Sequence, residues 1–198
     1  RFGRTSFIGL PASTLLRSTP TGAEVLRNGE VIERFQGNPL DFVEAYRARF
    51  KVAVRPGLPR FCGGLAGYFA YDTVRWIEPR LAGVSKPDPI GVPDILLLLT
   101  EELAIVDNIA GKIYLMVYAD PAEPEAYQKA HKRLRDLRQR LRQPVDVPVS
   151  SGSYETPTER DFPKEKYLQA VLEAKDYIMA GDVMQVQVGQ VLRKPFRD

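Results

Sequence analysis

The chain has 198 residues, of which 44% are hydrophobic and 27% are charged, and this composition is ordinary for a soluble globular protein. The single cysteine, Cys62, excludes an internal disulfide and fits a reducing compartment, so a cytoplasmic protein is expected. The longest apolar run, residues 95–99, is much shorter than the ~20 residues that a membrane-spanning helix needs.

The amino-terminal third contains signals for a strand, a hairpin and a helix. Thr5 to Leu10 is predicted to be a strand because of its short apolar run. Glu24 to Phe35 is predicted to be a hairpin, since Asn28-Gly29 favours a tight turn at its tip. Pro39 to Phe50 is predicted to be an amphipathic helix capped by Asn38. The expected buried face of this helix carries Phe42, Val43, Tyr46 and Phe50.

The middle of the chain favours strands separated by an irregular loop. Phe61 to Tyr71 is expected to be extended, and Asp72 is expected to cap a short helix ending near Trp76. Glu78 to Asp94 is rich in proline and is predicted to be irregular. Three successive strands are predicted after it, at Ile95 to Thr100, Leu103 to Asp107 and Lys112 to Ala119.

A long basic helix is predicted to follow, opened by Asp120-Pro121 and ending near Arg142. Its expected apolar stripe consists of Tyr127, Ala130, Leu134, Leu137 and Leu141. The same stretch carries seven basic residues: Lys129, Lys132, Arg133, Arg135, Arg138, Arg140 and Arg142. This charge is typical of a solvated helix face, although an independent binding module that acts through a basic helix is an alternative.

The last part of the chain is predicted to belong to a different domain. Gln143 to Phe162 has the composition of an exposed linker. A helix is then expected from Pro163 to a terminator at Gly181, with an apolar side formed by Tyr167, Leu168, Val171, Leu172 and Ile178. Met184 to Leu192 is predicted to be a strand with a bulge at Gly189. Strands and helices do not alternate regularly, so the expected fold class is α+β with mostly antiparallel sheets packed against helices.

Three residue patterns that could support chemistry favour structural roles. His131 lies off the apolar stripe without a second histidine, which gives a transition-metal site little support. Cys62 is expected to be a packed side chain. The run Gly63 to Gly67 lacks the ending of a phosphate-binding loop and is expected to allow close backbone approach.

Several stretches resemble the large subunit of anthranilate synthase. RFGRTSFIGL at 1–10 resembles the family's GRYSFIG strand, with Thr5 in place of the usual tyrosine. PGLPRFCGGLAGYFAYD at 56–72, followed by TVRWIE, is the most specific match. DPIGVPDILLL at 88–98, DNIAG at 107–111 and the segment from Tyr167 to Val186 follow in the family's order. Gly189-Gln190-Val191 stands where the family has Ser-Gln-Arg.

The resemblance implies a fragment of a lyase of tryptophan biosynthesis. The family converts chorismate and ammonia to anthranilate and pyruvate with Mg²⁺, and a glutamine amidotransferase subunit supplies the ammonia. Residues 1–150 then correspond to the amino-terminal regulatory and scaffold domain, and residues 151–198 to the linker and the start of the chorismate-binding domain. The chain, which lacks an initiator methionine, is expected to begin inside a longer protein, with its catalytic residues beyond Asp198 and no activity of its own.

The resemblance also implies a regulatory site for L-tryptophan, the family's feedback inhibitor. Arg4, Thr5 and Ser6 occupy the family's Arg-Tyr-Ser segment and are predicted to border the effector pocket. Arg4 suits the effector carboxylate, and Ser6 can exchange a hydrogen bond with it. Thr5 points to the other face of the strand and is the weaker candidate. No catalytic or metal-binding residue, nucleic acid or membrane is predicted, and the related aminodeoxychorismate synthase subunit is the close alternative.

Overall fold

The computed structural model describes residues 3–83, 88, 90–145 and 157–195, which form a mixed α+β structure. The chain divides into two compact units, Arg1–Pro144 and Val145–Asp198. The assignment of residues 1–150 and 151–198 to a regulatory domain and the start of a chorismate-binding domain stays a prediction. Part of the predicted linker, residues 146–156, and Pro87 and Pro89 of the predicted irregular loop lie outside the described residues.

The first unit contains a five-stranded antiparallel sheet in the order β4-β3-β2-β6-β5. Its strands are β2 (Thr14–Thr19), β3 (Gly22–Arg27), β4 (Glu30–Gln36), β5 (Gly64–Phe69) and β6 (Ile95–Thr100). The predicted hairpin is confirmed as β3 and β4, and Asn28 and Gly29 adopt φ angles of 53° and 87° at its tip. Strand β2, at the centre of the sheet, was not predicted.

Helix α1 (Pro39–Ala48) covers one face of this sheet and forms the main core with it. The Asn38 side chain accepts a hydrogen bond of 3.0 Å from the Leu40 N–H, as the sequence predicts for an N-cap. Phe42 and Tyr46 are buried, whereas Phe50 lies beyond the helix and is exposed. The core against which they pack includes Leu16, Ala23, Val25, Ile95 and Leu97.

A three-stranded antiparallel sheet in the order β1-β7-β8 completes the first unit together with helix α2. Its elements are β1 (Thr5–Gly9), β7 (Glu102–Asp107), β8 (Lys112–Val117) and α2 (Ala126–Arg140). Successive side chains of β7 point to opposite faces of the sheet. On one face, Leu103 and Ile105 form a small core with Cys62. On the other face, Glu102 reaches Arg133 of α2.

The start and the stripe of α2 differ from the prediction. The helix begins at Ala126 rather than at Asp120-Pro121, because Pro124 disfavours helical geometry at the residue before it. Leu137 is buried as predicted, with 5% of its surface exposed, and Leu134 is partly buried. Tyr127 and Leu141 are exposed, at 75% and 55%, so these two outer members of the predicted stripe do not pack against the sheet.

The loop after β5 also differs from the prediction in one detail. Two short 3₁₀ helices span Tyr71–Trp76 and Pro79–Leu81. Ala70, rather than Asp72, occupies the N-cap position of the first, so the predicted cap is wrong. Asp72 lies inside this 3₁₀ helix and pairs with Arg75 at 3.1 Å.

The second unit contains helix α3 (Lys164–Ala180) and the two-residue strands β9 (Glu159–Arg160) and β10 (Leu192–Arg193), which pair antiparallel. Gly181 ends α3 in the left-handed conformation, as predicted. The predicted strand from Met184 to Leu192 is wrong, because residues 185–191 form no ladder and only Leu192 belongs to a strand. A strand needs a hydrogen-bonding neighbour, which an alternating sequence alone does not supply. In the described parts of both units, no helix has the length and hydropathy to cross a membrane.

Candidate functional site

The predicted effector residues lie where β1 begins, beside the end of β7. The Arg4 guanidinium donates two hydrogen bonds to Asp107 Oδ2, from Nε at 3.2 Å and from Nη2 at 2.9 Å. The Arg4 side chain is 68% exposed, whereas Asp107 is buried. Arg4 is therefore accessible to solvent but already engaged by a carboxylate of its own chain.

Ser6 is also held by the turn that follows β7. Asn108 donates a hydrogen bond of 3.0 Å to Ser6 Oγ and another of 3.2 Å to the Gly3 carbonyl. The Asn108 backbone N–H donates to the Arg4 carbonyl at 2.8 Å. Thr5 is half-buried and stands opposite Asp107 in the ladder. The structure therefore brings Arg4, Thr5 and Ser6 together around residues 107 and 108.

Asp107 organises this corner through both of its oxygens. Its Oδ2 accepts the hydrogen bonds from Arg4, and its Oδ1 accepts hydrogen bonds from the backbone N–H groups of Ile109 and Ala110 at 3.1 and 3.0 Å. The hydrogen bond from Arg4 is the largest cause that lowers the pKa of Asp107, and the Ala110 N–H is the next. The carboxylate thus ties β1 to the turn between β7 and β8. The sequence marks DNIAG as a turn, but nothing in its spacing indicates that Asp107 pairs with Arg4, 103 residues away.

A cavity of about 510 Å³ lies at the opposite end of β1. Its walls come from residues 10–13, the junction of β6 and β7, the end of β8 and the inner face of α2. Leu10 lines it, and Arg4, six residues earlier on an extended chain, lies about 20 Å away. None of Arg4, Thr5 and Ser6 lines this cavity.

Charged groups line the cavity, and two of them, Glu102 and Arg133, form an ion pair. Arg133 of α2 donates a bidentate pair of hydrogen bonds to Glu102, with Nη2 to Oε2 at 2.8 Å. Glu101, Asp120, Glu123 and Lys129 also line the cavity, which is therefore richer in acidic than in basic groups. The sequence could not reveal the pairing of Glu102 with Arg133, because these residues lie 31 positions apart and on different elements.

Tyr118 forms part of the cavity wall and closes over Cys62. Its hydroxyl donates to Cys62 Sγ at 3.4 Å. Burial, followed by this hydrogen bond, raises the pKa of Tyr118 to about 12. Cys62 is a buried free thiol, as expected for a packed side chain.

His131 and the glycine run do not form a site in the described residues. His131 is exposed and stacks on Tyr127 with ring centroids 6.0 Å apart. Gly64 to Gly67 lie in β5, where Gly67 directly faces the Leu96 carbonyl, so this glycine permits close backbone approach as predicted. Within residues 3–83, 88, 90–145 and 157–195, no group of three or more His, Cys, Asp or Glu side chains is arranged to hold a metal ion.

Comparisons with known proteins agree on one family. The model of the family described as "chorismate binding enzyme" matches residues 15–198. Anthranilate synthase component 1 of Neisseria meningitidis serogroup C is 50% identical over 201 residues, covering 100% of this chain and 41% of that protein. The Pseudomonas aeruginosa protein of the same name is 45% identical over 204 residues, with the same coverage of both chains.

A solved structure has the same fold. The crystal structure of anthranilate synthase component I from Streptococcus pneumoniae matches with a TM-score of 0.67 and 25% identity, covering 91% of this chain and 39% of that one. The chain therefore spans about two-fifths of the length of the relatives that it matches.

Proposed function

Because this chain belongs to the chorismate-binding enzyme family, we propose that it is part of an anthranilate synthase component 1. The observation that carries the proposal is the 50% identity to a protein of that name along the whole chain. The proposed reaction converts chorismate and ammonia to anthranilate and pyruvate in tryptophan biosynthesis, and it is a lyase reaction. A glutamine amidotransferase subunit is the proposed source of ammonia, and the cytoplasm is the proposed location.

Within this reaction, the proposed role of the chain is regulatory and structural rather than catalytic. In the described residues, no group of three or more His, Cys, Asp or Glu side chains is arranged to hold a metal ion, and no chemical step is assigned to them. The five-stranded sheet packs against α1, and the three-stranded sheet packs against the segment that carries Phe61 and Cys62. Both supply buried cores suited to a scaffold. We therefore expect the chain alone to form no anthranilate.

A chimaera tests the assignment. This chain would replace the matching two-fifths of the Neisseria meningitidis protein, and anthranilate fluorescence would be followed with chorismate, Mg²⁺ and ammonium. The expected result is anthranilate formation by the chimaera and none by the isolated chain. A folded chimaera that is inactive, or that forms aminodeoxychorismate, would contradict the proposal. The second of these outcomes would favour the aminodeoxychorismate synthase subunit.

We also propose that Arg4, Thr5 and Ser6 border a pocket for L-tryptophan as feedback inhibitor. The exposure of the Arg4 guanidinium supports this, since an arginine can bind an amino-acid carboxylate in a bidentate manner. Asp107 would compete with the effector for Arg4, because both present a carboxylate to the same group. Thr5 leaves more room on its face of β1 than the tyrosine that is usual in the family.

The active chimaera provides the test of this pocket. Tryptophan inhibition would be measured for Arg4→Ala and Ser6→Ala, with chorismate turnover as the activity control. Arg27→Ala is a matched control, since Arg27 is an exposed arginine at the end of β3. We expect weaker inhibition in the first two variants, with turnover retained in all three. Inhibition that stays unchanged in both Arg4→Ala and Ser6→Ala would remove these residues from the pocket.

A further inference from the structure

The outer side of α2 carries a concentration of positive charge that the sheet does not use. Lys132, Arg135, Arg138 and Arg142 are all exposed and project from successive turns, and we call these four residues the basic face. Arg142 lies just after the helix, where its N–H still donates to the Gln139 carbonyl at 3.0 Å. The basic face extends about 15 Å, from the rise of 1.5 Å per helical residue.

The four cations of the basic face outnumber the acidic residues of α2, which has one, Asp136. Among the residues that the structure describes, none of the four cations forms an ion pair within 4 Å. The one ion pair that α2 makes in this part of the chain joins Arg133 to Glu102 on its inner side. Asp136, the single acidic residue within α2, lies at the edge of the basic face beside Lys132.

The stability of the helix does not account for the arrangement. Arg138 and Arg142 lie near the carboxyl end, where the helix dipole favours cations. Lys132 and Arg135 lie in the middle of α2, outside the last turn where that effect acts. Like charges three residues apart, as in the pairs Lys132–Arg135 and Arg135–Arg138, repel each other and weaken an isolated helix.

An apolar edge runs along the basic face. Tyr127 and Leu141 lie seven residues to either side of Leu134, so all three occupy one line along the helix. Leu134 is partly buried, whereas Tyr127 and Leu141 are exposed. Both ends of the line are therefore exposed, and Leu141 lies beside Arg138 on the helix surface. We call Tyr127 and Leu141 the apolar edge.

We propose that the basic face and the apolar edge of α2 together form a docking surface for an acidic amphipathic segment of a partner protein. Tyrosine and arginine are enriched in protein interfaces, and an apolar line flanked by charge is the pattern by which one helix recognises another. Acidic side chains on the partner would complement the four cations, and its apolar side chains would cover Tyr127 and Leu141.

A nucleic acid is the competing ligand, and the apolar edge distinguishes the two. Phosphates would use the cations alone, since a leucine on a convex helix offers no base-stacking surface. A protein partner would use Leu141 as well as the cations. Removing Leu141 should therefore weaken binding of the protein segment and leave binding of a nucleic acid unchanged.

The experiment uses the full chain and two labelled probes followed by fluorescence anisotropy. One probe is a synthetic helical peptide with a leucine seam flanked by glutamates, and the other is a 20-base-pair duplex DNA. Lys132→Gln, Arg135→Gln and Arg138→Gln are combined to remove three cations of the basic face. The control combines Lys51→Gln, Arg55→Gln and Arg60→Gln, which removes the same charge from exposed residues of another segment.

The expected result is peptide binding that weakens about tenfold in the basic-face variant, from the modest contribution of each exposed ion pair. Leu141→Ala should weaken peptide binding severalfold, and the control should bind as the unchanged chain does. Absence of peptide binding would overturn the proposal, and so would an equal loss in both triple variants. Preferential binding of DNA that is insensitive to Leu141→Ala would also overturn it and would favour a nucleic-acid ligand. None of these results depends on anthranilate formation.

Discussion

At the scale of single residues, Gly63 makes room for the side chain of Tyr118. Gly63, just before β5, adopts a φ of +145°, a conformation that side-chain-bearing residues rarely adopt. A Cβ atom built on it would overlap the Tyr118 ring and would stand 3.0 Å from the Thr100 carbonyl oxygen. The glycine therefore allows Tyr118 to lie over this segment and reach Cys62.

Gly63→Ala is expected to destabilise the chain through both the backbone conformation and the overlap with Tyr118. Gly57→Ala is the matched control, because Gly57 also has a positive φ, of +85°, but faces open space. The strained conformation alone should cost about 1 kcal/mol or more of unfolding free energy in each variant. Overpacking should add about 1–3 kcal/mol for Gly63→Ala. Urea denaturation measures the unfolding free energy of the two variants. Equal midpoints would show that the Tyr118 ring moves aside freely.

The pair of Arg4 and Asp107 is expected to make stability depend on pH in the acidic range. Arg4 lowers the pKa of Asp107 in the folded chain, so the folded state holds the proton less tightly than the unfolded state. The resulting stabilisation is present above the unfolded pKa of about 3.9 and is lost as the pH falls through the lower folded value. Asp107→Asn removes the charge but keeps Oδ1 for the turn.

The measurement is the difference in unfolding free energy between the unchanged chain and Asp107→Asn from pH 7 to pH 2. This difference should be constant from pH 7 to about pH 5 and should shrink below about pH 4. Arg4→Ala, as a second comparison, should reduce that pH dependence, because the hydrogen bond from Arg4 is the largest cause of the lowered pKa. A difference that does not change across the range would mean that the pair does not stabilise the fold.

At the scale of elements, α2 packs against the sheet with only part of its apolar stripe. Leu137 is buried, with Ala126, Ala130 and Leu134 partly buried around it, and Arg133 anchors the same side to Glu102. Tyr127 and Leu141 lie on the flank of this side, so the stripe is wider than the surface that β8 offers. The helix therefore docks through a narrow inner face.

Truncating the leucines of α2 to alanine should distinguish the buried Leu137 from the exposed Leu141. Leu137→Ala is expected to lower the unfolding free energy by about 2–5 kcal/mol, because it leaves a cavity in the interface with β8. Leu141→Ala and Arg138→Ala should each change it by no more than about 0.5 kcal/mol, as is usual for exposed residues. Chemical denaturation of the three variants tests the orientation. If Leu141→Ala destabilises the chain as much as Leu137→Ala, the helix packs through a different face.

At the scale of the whole molecule, the sequence predicts turns and helix ends best, because interactions within a few residues determine them. Asn28-Gly29, Asn38-Pro39 and Gly181 each marked a turn or a helix end correctly, because their side chains or φ preferences act within a few residues. The central strand Thr14–Thr19 was missed, since TLLRST has no clear alternation and is fixed by its two neighbours. The wrong strand at Met184 had the alternation but pairs with no neighbour in the described residues. The contacts of Arg4 with Asp107 and of Arg133 with Glu102 depend on the assembled sheet and could not be predicted from spacing.

The two units differ in how much of their surface they bury, and this should be visible in hydrogen exchange. No described residue of the second unit is buried, and Leu168, Leu172 and Ile178 of α3 are all exposed. Most helical stability in proteins comes from packing, and an isolated helix of this length is marginal in water. The 17-residue α3 should therefore be less protected than the 10-residue α1, although length alone favours the opposite order. In this chain, we expect protection of less than about tenfold for α3 and of about a thousandfold or more for α1 and β3, whose amides open only with the core. Exchange followed by mass spectrometry checks this, and equal protection of α1 and α3 would show that burial within the units does not set their stability.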